Sequence, residues 1–191
     1  KKILEAIKHR QAAIMEMVQR GAELVQRIEG YAKPSDKDFE ATDLSSIIED
    51  ALGLAQYQIS QGAITVTKDI PGDLPRIKGI GVQLQQAFLN MVINACEAMA
   101  GKKGELTISA RVADENPSNV EIVLADNGRG IPKENLRRIF DIFFTTKGPQ
   151  GTGMGLSMAY RIIKDHNGDI HVNSKVGEGT QFTVFLPIWK E

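Results

Sequence analysis

Cysteine is nearly missing from this sequence. Cys96 is the only one in 191 residues, so no disulfide inside the chain can hold the fold, and a reducing compartment suits it. An excess of charge of either sign is missing too: 23 Lys and Arg against 24 Asp and Glu leave a formal net charge of -1. Without a basic footprint nothing supports a nucleic-acid partner, and any anion must be bound locally. No apolar run approaches the ~18 to 20 residues of a membrane span, and the start does not read as a signal peptide. The expected location of this segment is therefore the cytoplasm, whether or not a parent protein is anchored to a membrane. Histidine is scarce, at His9, His166 and His171. The chain opens on Lys1 with no capping signal for its first helix, which suggests a fragment of a longer polypeptide.

What remains is ample for one core: 42% of the residues are hydrophobic and 25% charged, enough for a globular domain with an appendage. The appendage comes first. Ile3, Ile7, Ile14, Met17, Leu24, Ile28 and Tyr31 keep a seven-residue rhythm, which predicts one long amphipathic helix that needs a partner helix to cover its apolar face. Lys33-Pro34-Ser35-Asp36-Lys37-Asp38 breaks it and marks the domain boundary. The expected division is 1–33 helix, 34–39 linker and 40–191 globular domain. Within the last, the pattern predicts helices over 43–58, 81–99, 133–140 and 155–165 and strands over 64–70, 106–112, 120–125, 169–174 and 181–186. Strands interspersed with helices and closed by a hairpin across Val176-Gly177-Glu178-Gly179 predict an α+β fold with one mixed sheet covered by helices.

Three segments carry chemistry. In the 81–99 helix, Gln83, Asn90, Asn94 and Glu97 recur at spacings of three, four or seven, a polar stripe on a helix otherwise built for a core. It either faces a polar cavity or is a solvated face. Asp126-Asn127-Gly128-Arg129-Gly130-Ile131-Pro132 places a carboxylate where a buried strand ends, a costly position unless hydrogen-bonded. The bland alternative, an Asp-Asn-Gly hairpin turn, is weakened because no second strand follows it. Gly151-Thr152-Gly153-Met154-Gly155-Leu156 opens the last helix, where free backbone amides and the helix dipole favour phosphate oxygens. Glycine-rich turns alone are common, and neither the dinucleotide fingerprint nor the Gly-Lys-Ser/Thr phosphate loop is present.

Together, in this order and spacing, these elements resemble the ATP-binding domain shared by sensor histidine kinases, type II topoisomerases, mismatch-repair ATPases and a heat-shock chaperone family. Asn90-Met91-Val92-Ile93-Asn94-Ala95 corresponds to the asparagine box, and the segments opening at Asp126 and Gly151 to the two glycine boxes. Ile139-Phe140-Asp141-Ile142-Phe143-Phe144 looks like the phenylalanine box of the kinase branch, and Gly177-Glu178-Gly179-Thr180-Gln181-Phe182 fits the final strand. The resemblance covers nearly all of residues 40 to 187. It implies a two-layer α/β sandwich of the Bergerat type, a mixed sheet covered by three helices, binding ATP and Mg²⁺. By the same resemblance Asp126 accepts from the adenine amino group, with Thr180 assisting through water and Gly128, Gly130, Ile131 and Phe140 lining that end. Asn94 gives a side-chain oxygen to Mg²⁺, and Asn90 sits beside the phosphates. Gly151, Thr152, Gly153, Met154, Gly155 and Leu156 cradle the phosphates, and Lys147 reaches the terminal one.

Relatives that hydrolyse ATP carry a glutamate one turn before the magnesium asparagine, and here that position is Asn90. With no water-activating carboxylate at that place, and Glu97 one turn on the other side a poor substitute, transfer to a protein acceptor is favoured over an ATPase switch, with Asn90, Asn94 and Lys147 as the catalytic set. A silent ATP-binding adaptor would have no need of Asn94. The first helix, ending Arg27-Ile28-Glu29-Gly30-Tyr31-Ala32-Lys33-Pro34, resembles the second helix of the dimerisation and phosphoacceptor region. That implies a homodimer of the full-length kinase and a response-regulator receiver domain as partner. His9 is followed by Arg10 rather than an acidic residue, so the acceptor histidine is expected outside this chain. The segment Phe143 to Gly153 is expected to act as a lid.

Overall fold

A computed structural model describes residues 38–101, 103–148 and 151–190. The expected amphipathic helix over 1–33, and His9 with it, lie outside the described residues. The described chain runs β1 (Glu40–Thr42), α1 (Leu44–Leu54), α2 (Gln56–Gln61), β2 (Thr65–Asp69), β3 (Ile77–Gly79) and α3 (Gly81–Ala98). It continues through β4 (Glu105–Val112), β5 (Asn119–Asp126), α4 (Gly155–Asp165), β6 (Asp169–Lys175) and β7 (Gly179–Pro187). Five strands form one mixed sheet in the order β2-β4-β5-β7-β6, with β2 and β4 parallel and the other pairs antiparallel. The α+β architecture with helices on a mixed sheet is the one expected.

Alternation places the core. Leu106, Ile108 and Ala110 on β4, Val120, Ile122 and Leu124 on β5, and Phe182, Val184 and Leu186 on β7 are buried every second residue, so one face of the sheet carries the apolar load. Helix α3 covers it with Leu84, Ala87, Phe88, Met91, Val92, Ala95 and Cys96 and packs against both α1 and α4. Asp43 caps α1, its side chain accepting from the Ser45 N–H at 2.8 Å, which satisfies one of the orphan donors of the first turn.

Two expected helices differ. The 43–58 helix is divided at Ala55, where the backbone turns to φ -87°, ψ 2° two residues after Gly53, a poor helix former; Leu52 and Ile59 stay buried on either side of the break. The 133–140 helix does not form. Asn135 donates to the Pro132 carbonyl at 2.9 Å, Arg138 to Asn135 at 2.8 Å and Asp141 to Arg138 at 2.9 Å, a chain of tight i→i+3 turns. Of this stretch only Ile139 is buried, too small an apolar stripe to offset the cost of nucleating an α-helix. The antiparallel pair β1·β3, with Ile77 fully buried, is absent from the sequence reading because three-residue strands show no periodicity.

Candidate functional site

Asp126 continues the inward row of β5: after Val120, Ile122 and Leu124, the next core-facing position is a carboxylate, 8% exposed. Its neighbours in register are Leu106 on β4 and Thr180 on β7, itself 5% exposed. A buried carboxylate requires donors, and the Gly128 N–H donates to Asp126 Oδ1 at 2.7 Å. That turn lies flat against the end of α3. A Cβ on Gly128 would come within 2.8 Å of Ala98 Cβ, so only glycine permits the approach, and the Arg129 N–H donates to the Ala98 carbonyl at 3.0 Å. Asn127 fastens the turn to β4, its side-chain oxygen accepting from the Glu105 N–H at 3.0 Å. Gly130 lies against the Lys175 carbonyl. Half-buried Ile131 donates its N–H to Ser174 Oγ at 2.8 Å.

At its centre the polar stripe of α3 is withdrawn from open solvent. Asn90 is 8% exposed; its Oδ1 accepts from Gln86 Nε2 at 3.2 Å, while its buried Nδ2 has no partner among the described residues. An unpaired buried donor costs roughly 1 to 3 kcal/mol, which an acceptor placed there would recover. Gly155, at the start of α4, lies beside it: a Cβ there would stand 3.9 Å from Asn90 Oδ1. No side chain caps the α4 N-terminus, which leaves its first-turn amides to an anion. Met154 is buried beneath it, and Leu156 packs on the core.

One turn further along α3, half-buried Asn94 accepts at Oδ1 from Lys147 Nζ at 3.2 Å, and Lys147 also pairs with Glu97. The segment bearing Lys147 is closed at its base. The Phe143 N–H donates to the Gly153 carbonyl at 3.0 Å, and Gly153, at φ +64°, lies so close to the Phe143 carbonyl carbon that a Cβ would stand 2.4 Å from it. Phe143 is itself at φ +68° with its ring exposed. Inside the loop, Thr145 Oγ1 accepts from the Lys147 N–H at 3.1 Å, and Gly151 packs over Thr145. Phe140 stacks on Tyr160 at 4.8 Å and meets Phe182 edge-on at 6.5 Å, anchoring the approach to the loop.

The structure thus gathers Asn90, Asn94, Lys147 and Gly155 beside the middle and second half of α3, and Asp126, Gly128, Gly130, Ile131 and Thr180 around the turn and strand ends next to its last residue, Ala98. One residue, Ser174, escaped the sequence reading, and His166 near the end of α4 has a structural role. Ser174 carried no signal beyond strand alternation. It accepts from Ile131, donates to the Gly179 carbonyl at 2.8 Å and meets Thr180 Oγ1 at 3.0 Å. His166 is fully buried: Nδ1 donates to the Ile162 carbonyl at 2.7 Å and Nε2 accepts from the Ile80 N–H at 3.0 Å, joining the end of α4 to the start of α3. Burial lowers its pKa, against the opposing effects of the Ile162 carbonyl and Asp165. Burial likewise pushes the Cys96 thiol up to about 11.

This helix-on-sheet arrangement, with asparagines on one wall and glycine turns on two others, defines a class, and comparison names it. Residues 79–190 match the family described as histidine kinase-, DNA gyrase B- and HSP90-like ATPase, and the chain belongs to that family. Among relatives, the sensor histidine kinase ZraS of Escherichia coli (strain K12) is 34% identical over 156 residues, 82% of this chain and 32% of that protein. The chain therefore spans about a third of the length of that relative. The catalytic domain of histidine kinase ThkA, nucleotide-free, superposes with a TM-score of 0.69 at 29% identity, covering 80% of this chain and 97% of that one. Histidine kinase ThkA in complex with response regulator protein TrrA gives a TM-score of 0.73 at 26% identity, covering 92% of this chain and 49% of that one. Among the described residues no helix is long and apolar enough to cross a membrane.

Proposed function

We propose that this chain is the catalytic part of a sensor histidine kinase, binding Mg²⁺-ATP and transferring the γ-phosphate to a histidine of its parent protein. The observation that carries this is Asn90: a buried amide with an unpartnered N–H beside the start of α4, where a hydrolase would hold a carboxylate. An amide can donate to a phosphate oxygen, but it cannot take a proton from water.

The remaining residues support the same reading. Asp126 accepts from the adenine amino group, with Thr180 beside it, while Gly128, Gly130, Ile131 and Phe140 shape that end. The amides of Gly151, Thr152, Gly153, Met154, Gly155 and Leu156 meet the phosphates, and Lys147 carries positive charge to the terminal one. The donor set suits magnesium. Asn94 Oδ1 already accepts from a cation in the form of the Lys147 ammonium, and among the described residues no three His, Cys, Asp or Glu cluster to hold a metal. A metal here takes one oxygen from Asn94 and the rest from phosphate and water, supplying charge neutralisation to the transferred group.

The sequence of residues 1–33 resembles that of the dimerisation region, which supports a homodimeric parent with a cytoplasmic catalytic domain. A receiver domain accepts the phosphoryl group onto aspartate; the solved assembly of ThkA with TrrA supports a partner of that kind. The test uses γ-labelled ATP. The chain alone should stay unlabelled and should label a two-helix fragment of the parent that carries the acceptor histidine. Acid-labile label on His9, or release of inorganic phosphate without transfer, would overturn this reading.

A further inference from the structure

Hydroxyl groups at the sheet end of the site have a forced proton order. Ser174 Oγ has one hydrogen and two lone pairs. A carbonyl only accepts, so its 2.8 Å contact to the Gly179 oxygen takes the Ser174 proton. The Ile131 N–H, donating at 2.8 Å, takes one lone pair. The remaining 3.0 Å contact, to Thr180 Oγ1, has one solution left: Thr180 donates and Ser174 accepts. With that proton committed, Thr180 can offer a ligand only lone pairs. Thr180 stands opposite Asp126 in the β5·β7 register and is 5% exposed, so there is little water to scramble the arrangement.

We propose that Ser174 is a positioning residue for purine selectivity: by holding the Thr180 proton it makes the Asp126–Thr180 wall an array of acceptors, which takes a 6-amino purine and rejects a 6-oxo purine. A 6-amino group brings two N–H donors to the two acceptors, with Thr180 accepting directly and not through a water as the resemblance implied. A 6-oxo group brings another acceptor, and buried acceptors facing each other are left unpaired. Ser174 touches no ligand in this scheme; it acts through Thr180. The inference rests on the adenine end being at Asp126.

The experiment measures the affinity ratio of ATP to inosine triphosphate by calorimetry on the chain as it stands and on variants. Ser174→Ala frees the Thr180 hydroxyl to rotate and donate, and the ratio should shrink by about fivefold, the worth of one net hydrogen bond. Ser174→Thr restores the hydroxyl and should restore the ratio. Thr180→Val should lower the ratio alone, and adding Ser174→Ala to it should do nothing more. A ratio unmoved by Ser174→Ala or by Thr180→Val overturns the proposal, because a merely structural Ser174 would weaken both nucleotides equally. A neutron structure of the unaltered chain covers the case in which Ser174→Ala does not fold: the Thr180 proton should lie on the line to Ser174 Oγ, and any other position refutes the scheme. Failure to bind any adenine nucleotide would instead sink the nucleotide reading, while the proton position would still decide the hydroxyl order.

Discussion

The Lys147 ammonium lies 3.2 Å from the side-chain oxygen of Asn94 and pairs at the same time with the Glu97 carboxylate. A cation on the loop after Phe143 is thus held on two residues of α3 that lie one turn apart. Lys147 is 27% exposed and Glu97 50%, so this is a partly screened pair of the sort that contributes about 0.2 to 1 kcal/mol. Such a latch is weak enough for a nucleotide to open, because phosphate offers Lys147 a stronger charge-assisted bond.

Lys147 and Glu97 should then have opposite effects on binding. Lys147→Met should weaken ATP by roughly tenfold or more, the worth of a hydrogen bond to a charged group, and weaken ADP less. Glu97→Gln should tighten ATP, by up to about fivefold, since the lysine no longer has to leave a carboxylate. Calorimetry on both variants checks the pair, and weaker ATP binding by Glu97→Gln would show that the ion pair is not a competitor.

Asp126→Asn should cost about 1 to 3 kcal/mol of nucleotide binding with little change in thermal stability. The amide oxygen can still accept from the Gly128 N–H, but its NH₂ then meets the adenine amino group donor to donor. Equal affinities for the two proteins would remove adenine from this end of the site.

His166 makes stability depend on pH. Its imidazole is neutral in the fold, since Nε2 must accept from the Ile80 N–H, and burial holds its pKa below the usual 6.5. Above that value both folded and unfolded states are neutral, and stability is full. As pH falls below it, the unfolded chain takes up a proton that the fold refuses, so stability drops by up to about 1.4 kcal/mol per pH unit until the folded pKa is reached. Urea midpoints between pH 7.5 and 5 should fall for the natural chain. The fall should be shallower for His166→Gln, and parallel curves would exclude this histidine.

Cys96 should resist alkylation in the folded protein. It is 6% exposed and its thiol is pushed up to about 11, so at pH 8 little thiolate exists and little of it is reachable. Iodoacetamide should label it only in denaturant, at the rate of an ordinary thiol. Rapid labelling without denaturant would mean that α3 opens locally.

Much of the sheet was legible because burial on one face forces a period of two: β4, β5 and β7 each show it, and the expected strands fall within them. The turns over 133–140 were misread as a helix because Lys133-Glu134-Asn135-Leu136 carries helix-compatible residues, while what decides is how little of that segment the core covers. The pairs Asp126 with Thr180 and Asn94 with Lys147 lie 54 and 53 positions apart, a distance across which local pattern says nothing about contact.

The sequence by itself determined which groups are present: a carboxylate at the end of an apolar strand, amides one turn apart on a core helix, and glycines where backbone must come close. These follow from local rules of period, turn and cap. Only the tertiary structure decided which of these groups meet. The β5·β7 register set Asp126 against Thr180, Ser174 fixed that threonine's proton, His166 fastened α4 to α3, and the closed loop brought Lys147 to Asn94. Such pairings arise when the sheet and helix layers pack together, and only then do groups far apart in the chain come within a hydrogen bond of each other.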